Sequence, residues 1–523
     1  MKKLGPFLSL ISLCAHGQIQ PVPKPLLPGY RLIREDTLKA DLTFLASDAM
    51  RGRMSLEQGD NAAIRWVAAE FSKAGLKPAN GASLLQAVPL LEYLPDRESS
   101  FVTVKHGASE KQWKFPDANG GYPTPVDLSS SVIFAGYGIT APELTYDDYQ
   151  GLNVQGRIVL VFEHEPQETD PKSIFNGTGN TRYATNRVKI LNAQAHGAIG
   201  VLIAPEPNRK HPSNQERFAR IGGSAVRANP IPTQFLSGDE LHTPSVVLTD
   251  AVAQQLMEGG PTGAELQASI DRTLQPASRP LDSTITIHLR NASSTSGTSY
   301  NVTGLLEGSD PTLKAETIIL SAHHDHDGWT GTEIWHGADD NGSGTVGVVA
   351  LAHAIAANPT KPKRSILFVV FAAEERGLLG AFYMAQHPLR PLATTRAMIN
   401  FDMIGRNEEE SDQTRGLIEV PKNTTNRLNL IGAMYSPDFA TAVQQENRKV
   451  GLDLDDRFDH ETPLNVFFRS DQFPFVLRNI PAFWFFTGFH PDYHHTTEYR
   501  GSDQLRKDGE DPAPGVSLGL PLR

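Results

Sequence analysis

Imidazoles and carboxylates gather in six short clusters in the second half of this chain: His323 to His326, Asp339 and Asp340, Glu374 and Glu375, Asp402, Asp471, and Asp492 with His494. Neutral imidazole and ionised carboxylate are zinc ligands, and a few histidines set against more carboxylates suit two zincs sharing one carboxylate. His323 and Asp325 are two residues apart, so one can ligate while the other holds its partner in place. Asp340 opens a tight Asn-Gly-Ser-Gly turn before a helix, where it could bridge two ions or, like Asp339, cap the helix. Glu374 and Glu375 repel one another unless cations lie near. One of them suits a ligand and the other a general base of near-neutral pKa. His324, His326 and His336 are expected to be solvated loop histidines.

The elements around these clusters explain how they could meet. The apolar runs 318–322, 366–373, 397–401 and 481–486 each lead toward a cluster. Strands alternate with helices expected over 342–357 and 377–386, which predicts an α/β fold: a mainly parallel mixed sheet with helices on both faces. Ligands collect outside the carboxyl ends of such strands. Farther upstream, Ile64, Val67, Ala68 and Phe71 recur at helical spacing before Gly75. Residues 125–280 have a different texture, with buried-strand runs at 132–139, 157–162, 197–203 and 245–248, a helix at 186–195, and a Pro/Gly-rich stretch at 205–240 expected to loop out. No ligand-type cluster is read there, so a binding or lid role, or a purely structural insertion, is expected rather than chemistry.

The ordered set AHHDH (322–326), DDNGSG (339–344), AAEE (372–375), NFDMIGR (400–406), RSDQFPF (469–475) and TGFHPDYHH (487–495) resembles the bacterial di-zinc aminopeptidase family, in the clan of co-catalytic zinc exopeptidases. FAGYGITAPE, TYDDYQGL and VQGRIVLVF between 134 and 162 resemble the β-rich protease-associated domain inserted in such enzymes, and LASDAMRGR (45–53) resembles the same subgroup. The resemblance implies two Zn²⁺ per chain: His323 and Asp402 on one, Glu375 and His494 on the other, and Asp340 bridging. It implies Glu374 as general base, Asp325 orienting His323, and Tyr493 polarising the substrate carbonyl. Peptides would be hydrolysed at their N-terminal residue by a metal-bridging hydroxide. The chain departs from the family at Glu498, where an Asp is usual, and in its Pro/Gly-rich tail, where a long helix is usual.

The implied organisation is a signal peptide at 1–17, a linker at 18–35, the N-terminal part of the catalytic domain at 36–124, the inserted domain at 125–282, the zinc peptidase domain at 283–500 and an atypical tail at 501–523. Lys2 and Lys3, an apolar stretch, and Ala15 and Gly17 at the −3 and −1 positions predict export to the periplasm or the extracellular space. Cleavage after Gly17 would remove Cys14, the only cysteine. A net charge of −11 argues against a nucleic-acid partner. No apolar run of about 18 residues follows the N-terminus, so no membrane-spanning segment is expected. The oligomeric state is not encoded in any pattern read here. Two alternatives stay open: a carboxypeptidase or glutaminyl cyclase of the same clan, with Arg406 or Arg469 receiving a free carboxylate, or a non-catalytic binding protein on the same scaffold.

Overall fold

The computed structural model describes residues 21–220, 231–461 and 463–498. The expected signal peptide and C-terminal tail lie outside them. Two sheets organise the chain. The first has nine strands, in the order Thr233–Leu236, Leu85–Pro95, Asn291–Leu306, Ser365–Phe371, Thr317–His323, Thr395–Phe401, Ala482–Phe486, Arg427–Ile431 and Asp453–Asp455. Ser365–Phe371, Thr317–His323, Thr395–Phe401 and Ala482–Phe486 run parallel to their neighbours within this group, so their carboxyl ends share one edge.

The apolar runs become strands because both faces of this sheet are covered. Side chains alternate between faces. Leu320, Ala322, Phe368, Val370, Ile399 and Phe401 pack with Val348, Ala352 and Ile355 of helix Gly344–Ala357 and with Ile64, Val67 and Phe71 of helix Gln58–Lys73. Ile319, Leu367, Val369, Phe371 and Met398 pack on the opposite face with Ala381 and Met384 of helix Leu379–Gln386. Every residue of Ser365–Phe371 is buried, as a doubly covered parallel strand requires.

The second sheet has eight strands, in the order Ser109–Trp113, Phe101–His106, Arg279–Leu289, Val126–Phe134, Ile158–Phe162, Gly200–Ala204, Ser245–Leu248 and Ala118–Gly120. The expected divisions at 124/125 and 282/283 do not coincide with its edges. Residues 101–120 pair into it, and 282/283 falls within a continuous strand. Two described parts of the 205–240 stretch are regular rather than looped: residues Asn214–Arg220 form a helix, and Thr233–Leu236 pairs antiparallel with Leu90 to Tyr93 of the first sheet. A four-residue strand with one partner leaves too short a pattern to read. Among the described residues no helix is long and apolar enough to cross a membrane.

Candidate metal centre

All the candidate residues meet at the shared strand edge. His323 is the last residue of its strand, and its Nε2 lies 3.4 Å from Asp340 Oδ1, 3.5 Å from Asp402 Oδ1 and 3.7 Å from Glu374 Oε2. His494 Nε2 lies 3.3 Å from the other Asp340 oxygen and 3.5 Å from Glu375 Oε2. Asp340 thus sits between two ligand groups, one oxygen toward each. Neither Asp339 nor Asp340 caps the helix. Asp339 Oδ1 accepts from the Gly405 N–H at 2.7 Å, and the cap position falls to Ser343 without a side-chain bond.

Buried polar contacts set each of these side chains. The Asp340 loop is tied to the Asp402 strand by Asn341, which donates to Phe401 O and accepts from Gly344 and Met403 N–H. Glu498 accepts from both Asp339 and Asp340 N–H, at 2.8 and 2.9 Å, so the longer side chain reaches the loop. At Gly337, φ is 57° and an added Cβ would lie 2.4 Å from the His326 ring, so this turn closes directly on that imidazole. Ser470 donates to Asp402 Oδ2 and accepts from Asn400, which in turn accepts from Ser321.

Two expectations change. The His323 Nδ1 partner is the main-chain carbonyl of Asp325, at 3.2 Å, while the Asp325 carboxylate stands 3.8 Å away. That carboxylate instead accepts from Glu374 N–H at 3.0 Å and Glu375 N–H at 3.2 Å, fixing the glutamate pair. His324, His326 and His336 are buried, not solvated. His326 Nδ1 lies 2.6 Å from Glu375 Oε1. His324 and His336 pair with Asp60 and Asp48, because the N-terminal segment covers the loop.

Several residues at the site had no role read from the sequence. Asp327 binds His494 Nδ1 at 2.8 Å and Arg376 at 3.0 Å. Arg53 is buried and donates to the carbonyls of Leu45, His324, His336 and Gly337. Asp471 is buried with neither carboxylate oxygen bonded. Asp327 follows the AHHDH motif by one residue, and Arg53 ends LASDAMRGR. Their position beside quoted motifs was the available signal.

Buried carboxylates crowd together here, an arrangement that favours bound cations. Burial, then the neighbouring Glu375 and Asp402 carboxylates, push Glu374 well above the usual range. Burial and Asp340 push Glu375 up to about 8. Burial opposes ionisation of Asp340, yet His323 and His494 hold it well below the carboxylate range. Burial drives Tyr493 up to about 12, and its hydroxyl accepts from Arg469 at 3.3 Å. His323 Nε2 is buried without a hydrogen-bond partner while facing three carboxylates. Borderline nitrogen and hard oxygen donors in two groups, His323/Asp340/Asp402 and His326/Glu375/His494, fit zinc.

Residues 301–501 match the family described as Peptidase family M28, and residues 124–256 match the PA domain. Residues 301–501 are a family M28 peptidase domain. All the residues expected to hold zinc lie inside this M28 domain, and the PA domain precedes it. Similar curated proteins include the Leucine aminopeptidase 2 of Trichophyton rubrum, 29% identical over 192 residues, covering 36% of this chain and 34% of that one. Aminopeptidase NAALADL1 of Mus musculus is 24% identical over 326 residues, covering 54% and 40%. The chain spans about a third of the length of the first curated relatives it matches. Among solved structures, the aminopeptidase from Aneurinibacillus sp. strain AM-1 is similar at 17% identity and a TM-score of 0.46, with 90% of each chain covered.

Proposed function

We propose that this chain is an exported aminopeptidase that removes N-terminal residues from peptides and holds two Zn²⁺. The observation that carries the reading is Asp340, whose two oxygens face separate ligand groups 3.4 and 3.3 Å away. His323 and Asp402 would hold one ion and Glu375 and His494 the other, with Asp340 shared. When bound, the ions supply an acidified water and a Lewis acid for the scissile carbonyl.

This chain's own residues supply the rest. Glu374 is the general base. Its carboxyl accepts no side-chain hydrogen bond among the described residues, and burial beside other carboxylates raises its proton affinity. It takes the proton from the attacking water and passes it to the leaving amine. Tyr493, kept protonated by burial, donates toward the developing oxyanion. Asp325 holds the main chain of Glu374 and Glu375, and Asp327 holds His494. His326 fixes the Glu375 oxygen that His494 does not face.

The names of the similar proteins favour aminopeptidase over carboxypeptidase. Arg406, considered for a substrate carboxylate, is already paired with Asp492 at 2.6 Å. Assays of amino-acid p-nitroanilides against N-blocked and C-free peptides, with and without chelator, test this reading. Chelator-sensitive cleavage of free-amine substrates alone is expected. Cleavage of N-blocked peptides from the carboxyl end would overturn it.

A further inference from the structure

The PA domain carries a second convergence of ligand-type side chains, although none was read from its sequence. Strands Ile158–Phe162 and Gly200–Ala204 are parallel neighbours, so the loops leaving their carboxyl ends lie side by side. His164 and Glu168 lie on the first loop, Glu206 and His211 on the second. One ligand-type atom from each of these four residues lies within 4.8 Å of the others. His164 Nδ1 is 2.7 Å from Glu206 Oε1, and His211 Nε2 is 2.7 Å from Glu168 Oε2 and 3.7 Å from Glu206 Oε1. The imidazoles stand edge to face, 4.6 Å between centroids.

The remaining carboxylate oxygens make the case for a ligand. Glu206 Oε2 and Glu168 Oε1 are buried without a hydrogen-bond partner, and the Glu206 side chain is 2% exposed. An unpaired buried carboxylate oxygen is costly. Two imidazoles and two carboxylates form a neutral site around one divalent cation. A tetrahedral ion with bonds of about 2.1 Å sets its ligands about 3.4 Å apart. Three of the separations here are 2.7, 2.7 and 3.7 Å, on either side of that spacing, and all lie within 4.8 Å.

We propose that His164, Glu168, Glu206 and His211 form a metal site of the zinc type in the PA domain, separate from the catalytic pair. Its position gives it a structural role. Glu163, beside His164, accepts from the N–H of Asn214, which starts helix Asn214–Arg220. Arg217 of that helix donates to Leu464 O in the M28 domain at 3.2 Å. The ion would pin the loop that joins the two domains.

The test is zinc stoichiometry. The full chain is stripped with chelator, reloaded with zinc, desalted and analysed for metal, alongside the Glu206→Gln, His211→Asn double variant. The variant is expected to hold one zinc fewer than the parent. That difference does not depend on how many ions the catalytic centre takes. Equal zinc content in a folded variant would mean that the four residues are simply two His–Glu pairs, and would overturn the proposal. Should the variant not fold, the His323→Asn, Asp340→Asn, His494→Asn chain, which removes ligands from both catalytic groups, decides instead. It is expected to retain one zinc whose X-ray absorption spectrum shows imidazole and oxygen ligands, and no retained zinc would overturn the site.

Discussion

Replacing Glu374 with Gln separates catalysis from architecture at the metal centre. The carboxyl accepts no side-chain hydrogen bond among the described residues, and the residue is held through its main chain, its N–H by Asp325 and its carbonyl by the N–H groups of Gly377 and Leu378. The amide therefore breaks no structural contact. Burial and the neighbouring carboxylates raise the proton affinity of Glu374 in the metal-free protein, and Gln resembles the protonated carboxyl in shape and charge. Metal-free stability should then change by less than about 1 kcal/mol. Loss of a general base lowers kcat by roughly 10²–10⁴, or about 2.7–5.4 kcal/mol of barrier. Zinc content should stay at the parent value, because His323, Asp340, Asp402, Glu375 and His494 all remain. The assay pairs kcat on leucine p-nitroanilide with elemental analysis and thermal unfolding of the same preparation. Undiminished turnover, or zinc lost with turnover, would refute the division of labour between Glu374 and Glu375.

Asp327→Asn should weaken zinc binding about 10–100-fold, because His494 loses the carboxylate on its Nδ1; competition against a chromogenic chelator measures it, and unchanged affinity would make Asp327 a bystander. In the Glu206→Gln, His211→Asn background, activity should return in full at two zincs per chain, and saturation at one would remove the bridging role of Asp340. Arg53→Lys should cost about 3–5 kcal/mol in chemical denaturation, because one ammonium cannot serve four buried carbonyls; a near-neutral result would show that those carbonyls find other donors. Burial raises Asp148 in the PA domain from 3.8 to about 7, so between those pH values the folded chain holds a proton that the unfolded chain has lost. Its contribution therefore falls as pH rises through that window, by on the order of 4 kcal/mol in all. Asp148→Asn keeps an acceptor for the Tyr137 and Ile139 N–H groups and should flatten the fall in melting temperature between pH 5 and 7.5; an unchanged slope would refute it.

The strands that present the metal centre were legible because short apolar runs such as 366–373 suit a covered strand, and ligand-type residues follow them directly. What holds the ligands was not legible. Ser470 reaches Asp402 across 68 positions and Asp327 reaches His494 across 167. No local period encodes such a pairing. His326 looked like a solvated loop residue because the groups around its ring, the Gly337 turn, Glu375 and His494, come from later in the sequence. The PA-domain cluster was invisible for the same reason, since its four residues sit on two loops that only strand pairing brings together.

The pairing of Thr233–Leu236 with Leu90 to Tyr93 has a consequence for anyone dividing this protein into parts. That short strand comes from within the inserted region yet forms the rim of the host sheet. Excising residues 125–282 would bare the edge of Leu90 to Tyr93 within the 11-residue strand Leu85–Pro95. An unpaired apolar rim of that kind recruits other chains. The insertion is therefore also a plug against self-association, and a minimal peptidase cut from this sequence should precipitate unless residues 233–236 travel with it.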